Sequence, residues 1–149
     1  MRPDDWWDAI YARYVSAFAE CGWSDAAPHL LTTIRQEITD ADGYVVFEDV
    51  VPALTRLRTS GWRHLVVSNH VPELPQIIDG LGLAGFFDAI VSSALVGYEK
   101  PRPELFAAAR ALTQDDGAVW MVGDNPDADC SGAVRFGVNA VLVRTATGF

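Results

Sequence analysis

Val119-Trp120-Met121-Val122 is a short apolar run that ends in Gly123-Asp124, and a second acid, Asp129, lies five positions beyond Asp124. Such a run reads as a buried strand that carries a carboxylate to its C-terminal tip, where a turn opens into the next helix. Ligands of open α/β sheets bind at that tip. A hard divalent cation such as Mg²⁺ takes oxygen ligands, often one or two carboxylates plus substrate oxygens. Asp124 is placed for that role. Asp124-Asn125-Pro126 also suits a plain turn, since all three residues favour turns, and both readings stand at this point.

Two other sets fall at comparable places. Ser68-Asn69 follows the apolar run His64-Leu65-Val66-Val67, and Lys100 sits in the loop Gly97-Tyr98-Glu99-Lys100-Pro101. A hydroxyl and a turn amide can bind phosphate oxygens. A lysine can neutralise a phosphoryl group and an attacking carboxylate. Taken singly, Ser68-Asn69 could merely start a turn and Lys100 could be a surface lysine. Taken jointly, in this order and on strand ends, Ser68, Asn69, Lys100, Asp124 and Asp129 suit phosphoryl transfer, where catalysis is mainly positioning and charge stabilisation.

The elements that must position these residues are legible in outline. Trp7, Ile10, Tyr11, Tyr14, Val15 and Phe18 have helical spacing, and Gly22 ends that helix. A second helix starts near Pro28 and carries Leu30, Leu31, Ile34 and Ile38. The two form a helical hairpin, and Trp6, Trp7 and Trp23 are read as packing residues. Asp49 is placed to cap a third helix, with Pro52 in its first turn and Leu54 and Leu57 facing inward. Three more strands are expected at His64–Val67, Ala89–Val91 and Ala140–Val143, with helices after Val71-Pro72-Glu73, from Pro103 and after Asp129. Apolar strands alternating with helices of this length argue for a parallel sheet covered on both faces. His70, next to Asn69, could face a cavity but is not assigned to the site. Cys130 is read as a small buried residue.

The bulk numbers set limits. The chain has 149 residues, half of them apolar, and a net charge of −9. One domain with a small appendage is the natural expectation. So acidic a surface repels nucleic-acid backbones and anionic lipid. The two cysteines, Cys21 and Cys130, have no metal-binding spacing. Reduced thiols are the default, and a Cys21–Cys130 disulfide is left open. No apolar run reaches the ~18 residues of a membrane span, and the start lacks a signal-peptide core. A soluble, cytoplasmic protein is expected.

The order of these motifs resembles the haloacid dehalogenase-like (HAD) hydrolase superfamily over roughly residues 45 to 143. Val66-Val67-Ser68-Asn69 resembles its second motif. Val96-Gly97-Tyr98-Glu99-Lys100-Pro101-Arg102-Pro103-Glu104-Leu105-Phe106 resembles its third, and Gly123-Asp124 with Asp129 its fourth. The resemblance implies a Rossmann-like parallel α/β core at 45–149 and a partial α-helical cap at 1–44. It also implies a Mg²⁺-dependent phosphohydrolase acting on a small phosphorylated metabolite. Ser68 would contact the phosphoryl group, and Lys100 would neutralise it and the nucleophile. Asp124 would bind Mg²⁺, and Asp129 would support the site.

The family's first motif is a strand ending in Asp-x-Asp-Gly-Thr, upstream of the cap, and it supplies the nucleophile. The chain departs from the family there. Asp4-Asp5 has no apolar strand before it. Asp40-Ala41-Asp42-Gly43 has the letters, but it follows a helix and reads as a loop. Without that strand, the strands ending at Ser68 and Gly123 lose their central neighbour. They could pair directly, the gap could be filled by another chain (including a homodimer through exposed sheet edges), or the sheet could be rebuilt. A further possibility is that the sequence is a fragment of a longer protein. As given, the chain is expected to be inactive. A non-catalytic binding or scaffold protein is the alternative, and a haloacid dehalogenase a weaker one.

Overall fold

The computed structural model describes residues 2–113 and 117–144. Helix α1 (Pro3–Glu20) starts on a proline whose missing N–H costs nothing at a helix start. It packs against α2 (Ala27–Thr39), giving the expected helical hairpin. Asp40 Oδ1 then accepts a hydrogen bond from Asp42 N–H at 3.0 Å and closes a 3₁₀ turn at Ala41–Gly43. The Asp-x-Asp-Gly letters are therefore a turn, as their helical context predicts.

The α/β part follows as α3 (Val50–Thr59), β1 (Leu65–Ser68), α4 (Leu74–Gly80), β2 (Ala89–Ser92) and the short α5 (Ser93–Val96). Gly97, at φ 87°, ends α5 in the left-handed region that glycine adopts without strain. Then come α6 (Pro103–Arg110), β3 (Trp120–Gly123), a turn of π-helix at Pro126–Ser131, α7 (Gly132–Arg135) and β4 (Asn139–Leu142). The expected helix after Asp129 thus begins earlier, because Asn125 Oδ1 caps it by accepting from the N–H groups of Asp127 (3.0 Å) and Ala128 (2.8 Å).

All described strand pairs are parallel, as expected, but they form two separate two-stranded sheets. β1 pairs with β2, Val67 opposite Val91; β3 pairs with β4, Val122 opposite Val141. β1 and β3 do not close on each other.

The split explains two corrections to the burial expected. β3 is not a buried strand, since Trp120 is 48% and Val122 57% exposed. Helix α3 buries none of its residues, and Leu57 is 42% exposed. Both elements carry apolar side chains that no element among the described residues buries. Asp49 also fails to cap α3 through its side chain. Its carboxylate is engaged by Arg144 beyond β4, whose hydrogen bond lowers its pKa.

The best-buried apolar cluster joins the helical hairpin to the α/β part. Trp7, Val71 and Ile77 form it, with Ile10, Tyr11, Ile38 and Tyr44 packed around them. Among the described residues no helix is long and apolar enough to cross a membrane. Cys21 and Cys130 are both free.

Candidate active site

The site is assembled at the C-terminal ends of β1 and β3. Parallel strands point their backbone groups alternately to either side. The amide of Asp88 donates to His64 C=O at 2.8 Å. His64 and Val66 therefore face β2, and Val67 C=O faces away from it. Lys100 Nζ donates to that outward carbonyl at 2.7 Å. The same ammonium lies 2.7 Å from Asp129 Oδ1, with the two side chains only 10% and 6% exposed. Lys100 thus ties the free edge of β1 to the segment after β3.

Three local features hold this pair. Asn69 clamps the Lys100 backbone, accepting from its N–H at 2.7 Å and donating to its C=O at 2.9 Å. The amide of Asn125 donates to Asp129 Oδ2 at 3.0 Å. Gly123 leaves room for the acid, because a Cβ there would meet Asp129 Oδ2 at 2.3 Å. Gly123→Ala must displace the carboxylate, and we expect a stability loss of about 1–3 kcal/mol. A urea midpoint unchanged from wild type would show that Asp129 can move at no cost.

The structure therefore brings Ser68, Asn69, Lys100, Asp124 and Asp129 to one end of the fold. Both ends of the Asn69 amide are taken by the Lys100 backbone. Ser68 ends β1 beside them. Asp124 is exposed at the tip of β3. It has no partner among the described residues, so its oxygens are open to a hard cation. Among the described residues no group of three His, Cys, Asp or Glu side chains gathers into a metal site. The donor set fits a cation that takes one carboxylate here and draws its other oxygens from water and substrate.

A shallow cleft of about 260 Å³ adjoins the site. It lies between the hairpin (Trp6, Ile38) and the loops carrying Asn69, His70, Val71, Ser93 and Glu99. His70, which the sequence offered as able to face a cavity without assigning it to the site, lines this cleft. The sequence reading missed the serines beneath it. Ser92 Oγ donates to His70 C=O at 2.7 Å and lies 2.9 Å from Val71 C=O, while Ser93 Oγ accepts from His70 N–H at 3.1 Å. Ser92 and Ser93 end a strand in sequence, and nothing local marks them as supports for a loop twenty residues upstream.

Burial pushes the His70 imidazole below its ordinary pKa, and its Nδ1 is buried without a partner. The folded state therefore refuses a proton that the unfolded chain accepts. Stability from this group is fully present above the ordinary value, about 6.5, and is lost as pH falls from there through the lower folded-state value. We expect wild type to lose more stability than His70→Gln between pH 7.5 and 5.5. Parallel losses in denaturant melts of the two proteins would overturn this.

The site and fold together define an α/β protein of parallel strands with an ion-paired lysine and an open carboxylate at their C-terminal ends. A haloacid dehalogenase-like hydrolase family model matches residues 4–137, and the chain belongs to that family. It is 30% identical over 147 residues to the haloacid dehalogenase-like hydrolase domain-containing protein 3 of Bos taurus, covering 96% of this chain and 57% of that protein. It is also 30% identical over 158 residues to a phosphoserine phosphatase of Thermus thermophilus, covering 91% and 63%. Among solved structures, a magnesium-bound HAD-hydrolase of Bacillus subtilis superposes with a TM-score of 0.74 at 21% identity, over 96% of this chain and 63% of that one. That likeness shows the fold alone. The chain thus spans somewhat over half the length of these two curated relatives.

Proposed function

We propose that the chain carries the charge-stabilising part of a Mg²⁺-dependent phosphate-monoester hydrolase site, and that its substrates are small phosphorylated metabolites. The Lys100 ammonium, held 2.7 Å from both Val67 O and Asp129 Oδ1 at the tip of β1, is the observation that carries this reading. A fixed cation beside a strand-end hydroxyl is suited to a phosphoryl group, whose charge must be neutralised in flight. Ser68 would hold a phosphoryl oxygen. Asp129 and Asn69 would keep Lys100 aimed. Asp124 would hold the metal, which when bound adds positive charge against the phosphoryl oxygens. Relatives bearing the names phosphoserine phosphatase, glyceraldehyde 3-phosphate phosphatase and phosphoglycolate phosphatase support the substrate class. The helical residues 1–44 would act as the cap over the cleft.

No described acid stands on a strand tip between β1 and β3 to attack phosphorus. Removing a covalent nucleophile costs several orders of magnitude in rate. The 149-residue chain should therefore bind phosphate but not turn over esters. Titration with inorganic phosphate, followed by ³¹P NMR, should show weak binding that needs Mg²⁺ and is lost in Asp124→Asn. Binding indifferent to Mg²⁺ would overturn the metal assignment. Mg²⁺-dependent hydrolysis of p-nitrophenyl phosphate by the chain would show that its nucleophile lies among these residues.

A further inference from the structure

The cleft beside Lys100 holds features that a phosphoryl group alone does not use. At about 260 Å³ it falls below the roughly 300–1,000 Å³ of ordinary ligand pockets, so it suits an occupant of metabolite size. On the hairpin side it is apolar. Ile38 lines it together with Trp6, whose ring stands edge-on to that of Trp7 with centroids 4.9 Å apart. On the other side it is lined by the buried Val71 and Ser93 and by the exposed Glu99.

Charge decides what these walls accept. The Glu99 backbone C=O accepts from Arg102 N–H at 2.8 Å, but its carboxylate has no partner among the described residues. Burial keeps the His70 imidazole neutral near pH 7. Arg35 of the hairpin is taken by Glu73 at 2.8 Å and does not line the cleft. The cleft is therefore anionic, although the next residue after Glu99 is the Lys100 cation, and the chain as a whole carries a net charge of −9. Consecutive residues have Cα atoms about 3.8 Å apart. A ligand that answers both side chains bears an anion and a cation a few bonds from each other. An ammonium suits Glu99 by charge, and an indole such as that of Trp6 attracts the same group through its ring face. Ser93 adds a donor. It is 5% exposed, its Oγ accepts from His70 N–H at 3.1 Å, and its own hydrogen meets no acceptor among the described residues. That O–H is left for an oxygen brought into the cleft, and an ester oxygen supplies one.

We infer that the cleft selects phosphate monoesters whose alcohol half carries an ammonium, and that Glu99 is the residue that recognises it. The inference rests on the phosphohydrolase reading for the phosphoryl half alone. Lys100 takes the phosphoryl group, Glu99 the ammonium, and Trp6 and Ile38 pack on the carbons between. A carboxylate in the ammonium's place meets Glu99 and is repelled. Esters of amino alcohols are thus preferred over esters of hydroxy acids.

The test titrates the full chain, with Mg²⁺ present, with inorganic phosphate, O-phosphoethanolamine, propyl phosphate and phosphoglycolate. The three esters are of similar length and end in an ammonium, a methyl and a carboxylate. By ³¹P NMR, phosphoethanolamine should bind about fivefold tighter than propyl phosphate and phosphoglycolate about fivefold weaker, the most that an ion contact open to solvent brings. The Trp6 indole N–H resonance should shift with phosphoethanolamine and not with inorganic phosphate. Glu99→Gln should erase the ranking, and Glu99→Lys should reverse it. Glu99 is exposed, so both variants keep the fold, and a ranking taken within each protein cancels any general change in phosphate affinity. If neither inorganic phosphate nor any ester binds, the phosphohydrolase reading is overturned and this inference with it. If phosphate binds but the esters are unranked, phosphoglycolate binds tightest, or the ranking persists in Glu99→Gln, this inference alone is overturned.

Discussion

Lys100→Met is expected to destabilise the fold by about 3–5 kcal/mol, the cost of leaving a buried charge without its partner. The native pair is nearly dry, Lys100 being 10% and Asp129 6% exposed in their side chains. Methionine keeps the apolar stem, so packing is largely preserved and the loss is electrostatic. It strands two groups. Among the described residues Asp129 keeps the Asn125 amide alone for its charge, and the outward Val67 carbonyl loses its donor. For a domain whose total stability is about 5–15 kcal/mol, this approaches complete unfolding. Asp129→Asn in the same background removes the orphaned charge at nearly constant volume. The double variant should therefore recover much of the loss, and a double-mutant cycle measures the coupling. If Lys100→Met alone costs no more than the ~1 kcal/mol of an exposed ion pair, the pair is solvated and Lys100 is not the tie between the half-sheets.

The strands, their order and their parallel sense were legible because each is a short apolar run bounded by turn residues, as in Leu65–Ser68 and Asn139–Leu142. The site loops were legible for the same reason: Ser68, Lys100 and Asp124 lie at or just beyond such boundaries, and strand tips are where function gathers. The turn at Asp40–Gly43 was legible from the helix before it. Burial was not. Val122 and Leu57 are apolar because their patterns suit a full sheet, but exposure depends on which neighbours are present. Hydrophobic periodicity reports the environment a segment is built for, and it is silent on which neighbours are present to supply it. The supports of the site were hidden for another reason. Asn69 holding the Lys100 backbone and Ser92 holding the loop at His70 are contacts across twenty or thirty residues, between side chains that also serve ordinary turns.

One consequence concerns how the molecule is divided. The sequence separates a helical piece, residues 1–44, from the α/β part. The buried cluster of Trp7, Val71 and Ile77 draws its members from both. With β3 and α3 exposed, much of the apolar packing shifts to this junction. The helical hairpin then acts as a buttress for the β1–β2 half-sheet through α4, and the β3–β4 half-sheet is tied in through Lys100 and through α6 packed on α7.

Trp7→Ala should accordingly cost about 3–5 kcal/mol, the range for removing a large aromatic from a core. Trp7 is 1% exposed. Its indole N–H donates to both Glu73 oxygens, at 2.9 and 3.0 Å, and Arg35 bonds Glu73 at 2.8 Å while lying over the Trp7 ring. The cavity left by alanine opens between hairpin and core, and Glu73 loses a donor as well. Trp7→Phe separates the two contributions. It keeps most of the ring volume and removes the N–H, so it should cost only the ~1–3 kcal/mol of an unmet hydrogen bond. Urea denaturation gives both values, and amide exchange in α1 and α2 adds a readout of location. If the hairpin is a buttress, Trp7→Ala speeds exchange in β1 and β2 together with α1 and α2, because the half-sheet loses its support. Faster exchange confined to α1 and α2 would show instead that the β1–β2 half-sheet stands without it.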